Sequence, residues 1–377
     1  MHSELGRFLL DKKIWWVTGL MMMAVIAALV LTQRRQEPLF VGAIIPLSGS
    51  AQVYGEDVRD GMILAVEEIN AAGGVNGRRL ELLVRDSGSD ARRAEAHFRE
   101  LEEEYHPVCY VSVLSSVSMV LAPLAEEHAV VLMALAASAP GITQEREWVF
   151  RYWPVAEAET TVLLSIVEEL RIDTLGVLHL DDEWGRSMFG QIRESFVRAG
   201  GSVVGQSFHM GTSDFEGQLQ CLLDPQAVVL VGFEGHLRDG LRQLRQAGFE
   251  GSILGANPIF SASIRDMPEA EGTYGTIPII YNPGFLLAST AREAYETRFN
   301  RRFTHYSANG YDALKVLTGL LKDREAGRNE LRRSLEQGFI YSGIFGTINV
   351  APGEHDLDLP MHAARIVDGD IHYLWWK

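Results

Sequence analysis

Cysteine is nearly absent: a chain of 377 residues carries two, Cys109 and Cys221, far apart in sequence. That excludes a disulfide framework and any metal-ligand spacing, so both read as buried free thiols, one in a strand and one in a helix. Positive charge is also scarce. Lys and Arg total 34 against 50 Asp and Glu, a formal charge of −16, and no basic stripe is present. A surplus of that sign repels phosphate, which excludes nucleic acid as a partner. The short patterns of enzymes are missing too: there is no Gly-x-Ser-x-Gly, Walker loop, His-Glu-x-x-His or Cys-x-x-Cys. Gly73-Gly-Val-Asn-Gly77 is no dinucleotide fingerprint, because it follows a helix and precedes a strand. The eleven histidines are scattered, and His179, at a strand end, reads as a polar core or rim residue. No catalysis, metal or cofactor is expected.

What is present describes a globular chain, 47% hydrophobic and 22% charged, long enough for two domains with a core each. One apolar run stands apart. Ile14 to Thr32 is 19 residues without a charge, preceded by Arg7, Lys12 and Lys13 and followed by Arg34 and Arg35. As a helix it spans roughly 28 Å, the thickness of a hydrocarbon core. Trp15 and Trp16 fall at one edge, where aromatic rings prefer the interface. Leu31-Thr-Gln-Arg-Arg-Gln-Glu37 offers no small-x-small cleavage site, and there is no lipobox cysteine. The expectation is an uncleaved transmembrane anchor over 14–32, with residues 1–13 cytoplasmic and a linker at 33–38. A cleaved signal peptide is the alternative.

From Val41 the pattern changes. Val41-Gly-Ala-Ile-Ile45 is a continuous apolar run, as for a parallel strand covered on both faces, and Pro46-Leu-Ser-Gly-Ser50 makes a turn. A helix over about 57–72 places Val58, Met62, Ala65, Val66 and Ile69 on one stripe. Gly73, Gly74 and Gly77 end it, and Leu80-Glu-Leu-Leu-Val84 begins a second strand. This βαβ unit leaves a Ser/Gly-rich crevice at the carboxyl end of its first strand. Strand and helix then alternate for about 240 residues, in one block to about Leu135 and a second from about Glu157. Two such blocks mean an α/β fold of two doubly wound, Rossmann-like lobes. Helices are expected at 286–301, 309–321 and 329–337. The tail adds a strand at 344–350 and a hairpin through Asp368-Gly369.

The opening stretch, with Tyr54-Gly55 and Asn70-Ala-Ala-Gly-Gly, is followed in order by Leu114-Ser-Ser116, Ala136-Ala-Ser-Ala-Pro140, Asp182-Glu-Trp-Gly185, Asn309-Gly-Tyr-Asp-Ala-Leu314 and Val367-Asp-Gly-Asp370. Over Leu39 to Trp375 this resembles the type I periplasmic binding proteins, the leucine/isoleucine/valine-binding branch. The resemblance implies three crossings between lobes, lobe I combining 39–153 with 284–335 and lobe II 156–280 with 338–377. It implies a solute-binding protein on the extracytoplasmic side of the cell membrane that closes on a small polar ligand, an amino acid or related amide or carboxylate, for an ABC permease and its ATPase. A ligand sensor signalling to a membrane or regulatory partner is the alternative.

Candidate site residues follow. Ser115-Ser116 opens a helix after a strand, where free N–H groups and hydroxyls seat a carboxylate or simply cap the helix. By resemblance that seat is Ser116, Ala137 and Ser138. Trp184 stands where the family packs an aromatic, commonly Tyr, on the ligand, and Tyr306 where an aromatic borders the pocket. Amine recognition departs from the pattern: Asn257, in Gly255-Ala-Asn-Pro258, occupies the place of a Glu. Asn cannot neutralise an ammonium in a dry cleft. Glu234 is the expected substitute, with Asp182 or Glu183 as others.

Overall fold

Strand β1, Leu39–Ile45, is buried along nearly its whole length because both faces of its sheet are covered by helices. The computed structural model describes residues 21–23, 37–278, 286–357 and 359–374. The anchor expected over 14–32 lies, apart from 21–23, outside these, and among the described residues no helix is long and apolar enough to cross a membrane. β1 pairs in parallel with β2 (Leu80–Asp86) and β3 (Cys109–Val113), and β4 (Val131–Leu135) and β5 (Val149–Arg151) complete a sheet of order β2-β1-β3-β4-β5. The crossovers are α1 (Gln52–Ala71), α2 (Ala91–Glu104) and α3 (Ser115–Glu127).

The chain then crosses to a second lobe. There α4 (Ala156–Glu169), β6 (Thr174–Leu180), α5 (Glu183–Arg198), β7 (Ser202–Phe208), β8 (Ala227–Val231), α6 (Glu234–Gln246), β9 (Ser252–Gly255) and β10 (Tyr274–Pro278) form the second wound block. It returns to the first lobe as α7 (Leu286–Phe299), α8 (His305–Leu320), α9 (Arg328–Glu336) and a small hairpin, β11 (Phe339–Gly343) with β12 (Gly346–Val350). The last hairpin, β13 (Met361–Val367) with β14 (Asp370–Tyr373), joins the second sheet antiparallel to β10, giving the order β14-β13-β10-β9-β8-β6-β7. Two doubly wound lobes with three crossings are thus present.

Two expectations need correction. Lobe II was expected to resume at 338, but residues 339–357 pack on the first lobe, and the last crossing falls between Leu357 and Met361. The reason is Asp312 on α8. It accepts from the Tyr341 and Tyr152 hydroxyls at 2.8 and 3.3 Å and from the Ile344 N–H at 2.8 Å, which pins the β11–β12 hairpin to lobe I. The Leu357 N–H then donates to the Arg151 carbonyl at the end of β5. Cys221 is exposed in a short 3-10 turn, whereas Cys109 is buried as expected, and burial pushes its thiol up to about 12.

Asn309-Gly-Tyr-Asp312 is a packing hub. The Asn309 amide donates to the Tyr152 carbonyl at 2.6 Å, and the Tyr311 hydroxyl donates to Glu68 on α1 at 2.6 Å. Gly310 lets the helices touch: a Cβ there would sit 2.3 Å from the Val58 carbonyl oxygen, and one at Gly61 on α1 would sit 2.0 Å from that of Ser307. Gly310→Ala should therefore destabilise the chain by about 1–3 kcal/mol through overpacking. Gly319→Ala, on the exposed end of the same helix with nothing within 4 Å, should be neutral or stabilising by up to about 1 kcal/mol. Urea unfolding of the two variants checks the pair; equal effects would remove the close-approach explanation.

Candidate functional site

Both sheets present the carboxyl ends of their parallel strands to the space between the lobes. Each contributes at its own point of reversed strand order, between β1 and β3 in the first and between β6 and β8 in the second. A cavity lies there, with walls from both lobes. The first lobe supplies Ser115, Ser138, Trp153, Tyr54 and Tyr306; the second supplies Asp182, Trp184, Phe233 and Asn257.

Backbone strain sets the first lobe's side. Leu114, between β3 and α3, has φ 81° and ψ 143°, and Ala136, at the end of β4, has φ 46°. Both are non-glycine residues in left-handed backbone, both line the cavity, and such strain persists only where surrounding structure enforces it. The turn at Leu114 brings Ser115, the first residue of α3, to the wall, while Ser116 is not among the lining residues. After the turn at Ala136, Ala136 and Ser138 line the cavity while Ala137 is buried behind it. Buried Arg151 fixes that segment. It donates to the Ala139 and Ala137 carbonyls at 2.7 and 3.3 Å, to the Thr143 hydroxyl at 3.1 Å and to Asp356 at 2.9 Å. The Ser115 hydroxyl accepts from the Ala139 N–H at 3.2 Å, which ties the two polar segments together. Free N–H groups in the first turn of α3 and the two hydroxyls make this end suited to an anionic group.

The remaining wall is aromatic. Tyr54 and Tyr306 have ring centroids 4.7 Å apart, held so by the α1–α8 contact, and Trp153 stacks on Tyr306 at 5.4 Å. From the other lobe Trp184 stacks on Phe233 at 6.0 Å, and Phe233 meets Tyr54 across the cleft at 5.8 Å. The two tyrosine hydroxyls also bond across the cleft. The Tyr306 hydroxyl donates to Asn257 Oδ1 at 2.6 Å, and the Glu234 N–H donates to the Tyr54 hydroxyl at 2.7 Å.

Glu234 itself lines a neighbouring cavity rather than this one, and its carboxylate accepts from the Ser263 hydroxyl. The acid in the central wall is Asp182. Its Oδ1 caps α5 by accepting from the Gly185 N–H at 2.8 Å, and burial pushes its carboxyl up to about 6. A second acid, Glu159 on α4, lies behind the wall. Its Oε1 accepts from the Asn257 N–H at 2.8 Å, the Asn257 amide at 3.1 Å and the Thr276 hydroxyl at 2.9 Å. With its Nδ2 donating on that side, Asn257 turns its oxygen toward Tyr306. Burial raises the Glu159 carboxyl, partly offset by these donors. Tyr54, Trp153, Phe233 and Glu159 were not singled out from the sequence as site residues. Tyr54 fell inside the opening motif, whereas Glu159 carries no local pattern at all.

A pH dependence follows from Asp182. Its folded value, about 6, stands above the ordinary 3.8, so the folded state holds the proton more tightly. The resulting stability is fully present below the unfolded value and disappears as pH rises through about 6. Asp182→Asn keeps a good helix cap and removes the titration. Thermal unfolding of the ligand-free chain from pH 4 to 7.5 should lose stability with rising pH more steeply in the parent than in the variant.

Residues 38–370 match the family profile described as periplasmic binding protein. Among curated proteins the chain is 27% identical, over 62% of its length, to a leucine-, isoleucine-, valine-, threonine- and alanine-binding protein of Pseudomonas aeruginosa. It is 26% identical, over 63% of its length, to a chemotactic signal transduction system substrate-binding protein of Halobacterium salinarum. The matched stretches span 64% and 60% of those two relatives, less than two thirds of either. A solved structure of a leucine-binding protein from Thermotoga maritima superposes with a TM-score of 0.82 at 22% identity, covering 89% of this chain and 98% of that one.

Proposed function

This chain belongs to the periplasmic binding protein family, and from that premise we propose that it captures an amino acid or a related amide or carboxylate between its lobes. The observation that carries this reading is a cavity whose walls come from both lobes, with the Ser115 and Ser138 hydroxyls from the first, Asp182 and Asn257 from the second, and five aromatic rings besides. A ligand touching both lobes stabilises the closed arrangement, because only affinity that differs between two states shifts their balance. In this reading Ser115 and Ser138, with the first turn of α3, hold the carboxylate. Trp184, Tyr306 and Phe233 enclose the apolar body. Asp182, in place of Glu234, faces an amine. The loaded protein then serves an ABC permease and its ATPase on the extracytoplasmic side, tethered by the uncharged stretch 14–32.

A charge-assisted hydrogen bond at a buried site makes Ser138→Ala expected to weaken binding by about ten- to a hundredfold. Mass spectrometry of co-purified ligand identifies the solute, and calorimetry then compares parent and variant. A thermal-shift panel of branched-chain amino acids, their amides and plain carboxylates separates the ligand classes, since any ligand of the native state raises the melting temperature. Unchanged affinity in Ser138→Ala would move the carboxylate seat elsewhere. The second reading, a sensor of the same solute, draws on the similarity to the chemotactic relative. Neighbouring genes for a permease and ATPase, or for a signalling protein, distinguish the two.

A further inference from the structure

Beside the central cavity, behind Tyr54, Pro258 and Tyr306, lies a larger one, also walled by both lobes. Three arginines line it: Arg265, at the end of a short helix of lobe II, and Arg301 and Arg302, just before α8 of lobe I. Neither Arg265 nor Arg302 has a carboxylate within ion-pair distance among the described residues, in contrast to Arg301, which meets Glu56, Asp57 and Asp60 at 3.3, 2.9 and 3.1 Å. Arg265 and Arg302 are close enough for each charge to act unfavourably on the other. Arg265 spends one N–H on the Gly369 carbonyl at 3.2 Å, while its buried Nε and the buried Ser261 Oγ of the same wall have no partner.

The acids of this cavity are already engaged. Asp57 is held by Arg301 and by the Thr304 hydroxyl at 2.8 Å, and Glu234 by Ser263. Asp266 and Asp370 act on Arg265 only at longer range. Bringing the lobes together therefore brings together two cations that lack an ion-pair partner among the described residues, the exposed Arg302 and the half-buried Arg265, which opposes closure. An anion between them reverses the sign of that contribution. Phe260, Phe303 and Ile371 give the same cavity apolar surface, so an organic anion with an apolar stem fits its walls.

We propose that this second interlobe cavity is an anion subsite, in which Arg265 of one lobe and Arg302 of the other bracket a carboxylate, sulfate or phosphate group and favour the closed form. The inference goes beyond the proposed function, because it concerns a different cavity and different residues. The anion is either free or the distal end of a ligand that reaches past Tyr54 and Tyr306.

The test uses the full-length chain with Arg265→Gln, Arg302→Gln and Trp184→Ala. Thermal shift and calorimetry with sodium sulfate and phosphate are compared with sodium chloride at matched ionic strength. Losing one charge-assisted partner should weaken the anion by about ten- to a hundredfold. For a free anion, sulfate or phosphate raises the parent's melting temperature, each arginine variant loses the rise, and Trp184→Ala keeps it. For a ligand tail, straight-chain dicarboxylates bind more tightly than monocarboxylates of equal length, and each arginine variant abolishes that preference. The proposal is overturned if both arginine variants respond to inorganic anions and to dicarboxylates as the parent does. Failure of the central site has a different signature: Trp184→Ala and Ser138→Ala leave every ligand response intact.

Discussion

Arg151→Met should unfold about 2–4 kcal/mol more easily than the parent chain, because the acceptors around it lose a buried, charged donor. Arg151 is 1% exposed and serves four acceptors. Asp356 is the least costly to release, since its side chain is 38% exposed and rehydrates. The Ala137 carbonyl loses its side-chain donor, the Ala139 carbonyl keeps only the Ile142 N–H at 3.4 Å, and the Thr143 hydroxyl keeps its bond to Asp356 at 3.0 Å; a stranded polar group costs about 1–3 kcal/mol. Lysine should restore little, because one ammonium cannot reproduce a planar fork that reaches several acceptors. Urea denaturation of Arg151→Met and Arg151→Lys measures both effects. A loss under about 1 kcal/mol would mean that the Ala136–Thr143 segment holds its shape without Arg151. Ligand affinity should fall in the same variants, since Ser138 lies in that segment.

Glu159 should divide its variants sharply. Glu159→Ala removes the acceptor of three donors at once and is expected to lose about 3 kcal/mol or more at pH 7. Glu159→Gln keeps an oxygen for those donors and discards a charge that no cation offsets, so it should be neutral or stabilising at the same pH. The pH dependence gives the sign. With its folded carboxyl raised by burial, Glu159 contributes stability at low pH that is lost as pH rises through the folded value. The advantage of Glu159→Gln should therefore grow with pH and vanish in acid, as read from unfolding midpoints at pH 4, 6 and 8. An advantage that stays constant would mean that Glu159 does not titrate against folding.

Local pattern carried most of the fold. Apolar runs such as Val41–Ile45 and Ala227–Val231 could only be covered parallel strands, and Asp90 capped its helix as such residues do. Boundaries drifted where side chains face the cleft. α1 begins at Gln52, five residues before the start expected at 57, because its first turn aims Tyr54 at the other lobe instead of at its own core. The candidate site was half legible. Ser138, Trp184, Asn257 and Tyr306 all line the cavity, whereas the choice of Ser115 over Ser116 depends on the φ of Leu114, which no sequence pattern announces. Glu234 was placed by its distance from a strand end, but its carboxylate turns to Ser263 and leaves Asp182 as the acid of the wall. Glu159 was invisible because its partners are 98 and 117 residues away.

The glycine contact between α1 and α8 has a consequence for how the chain is made. Val58 and Gly310, whose backbones touch, are separated in sequence by all of the second lobe except its last hairpin. As synthesis proceeds, β1 to β5 emerge first with one face of α1 uncovered. The strands β6 to β10 can collect their neighbours soon after, since each pairing there spans few residues. The first lobe must wait for residues 305–320 to return, closing a loop of roughly 250 residues, the slow kind of contact. During that interval the apolar stripe of α1 is the surface most open to a wrong partner, and a holding chaperone or fast export of the nascent chain has most to protect there.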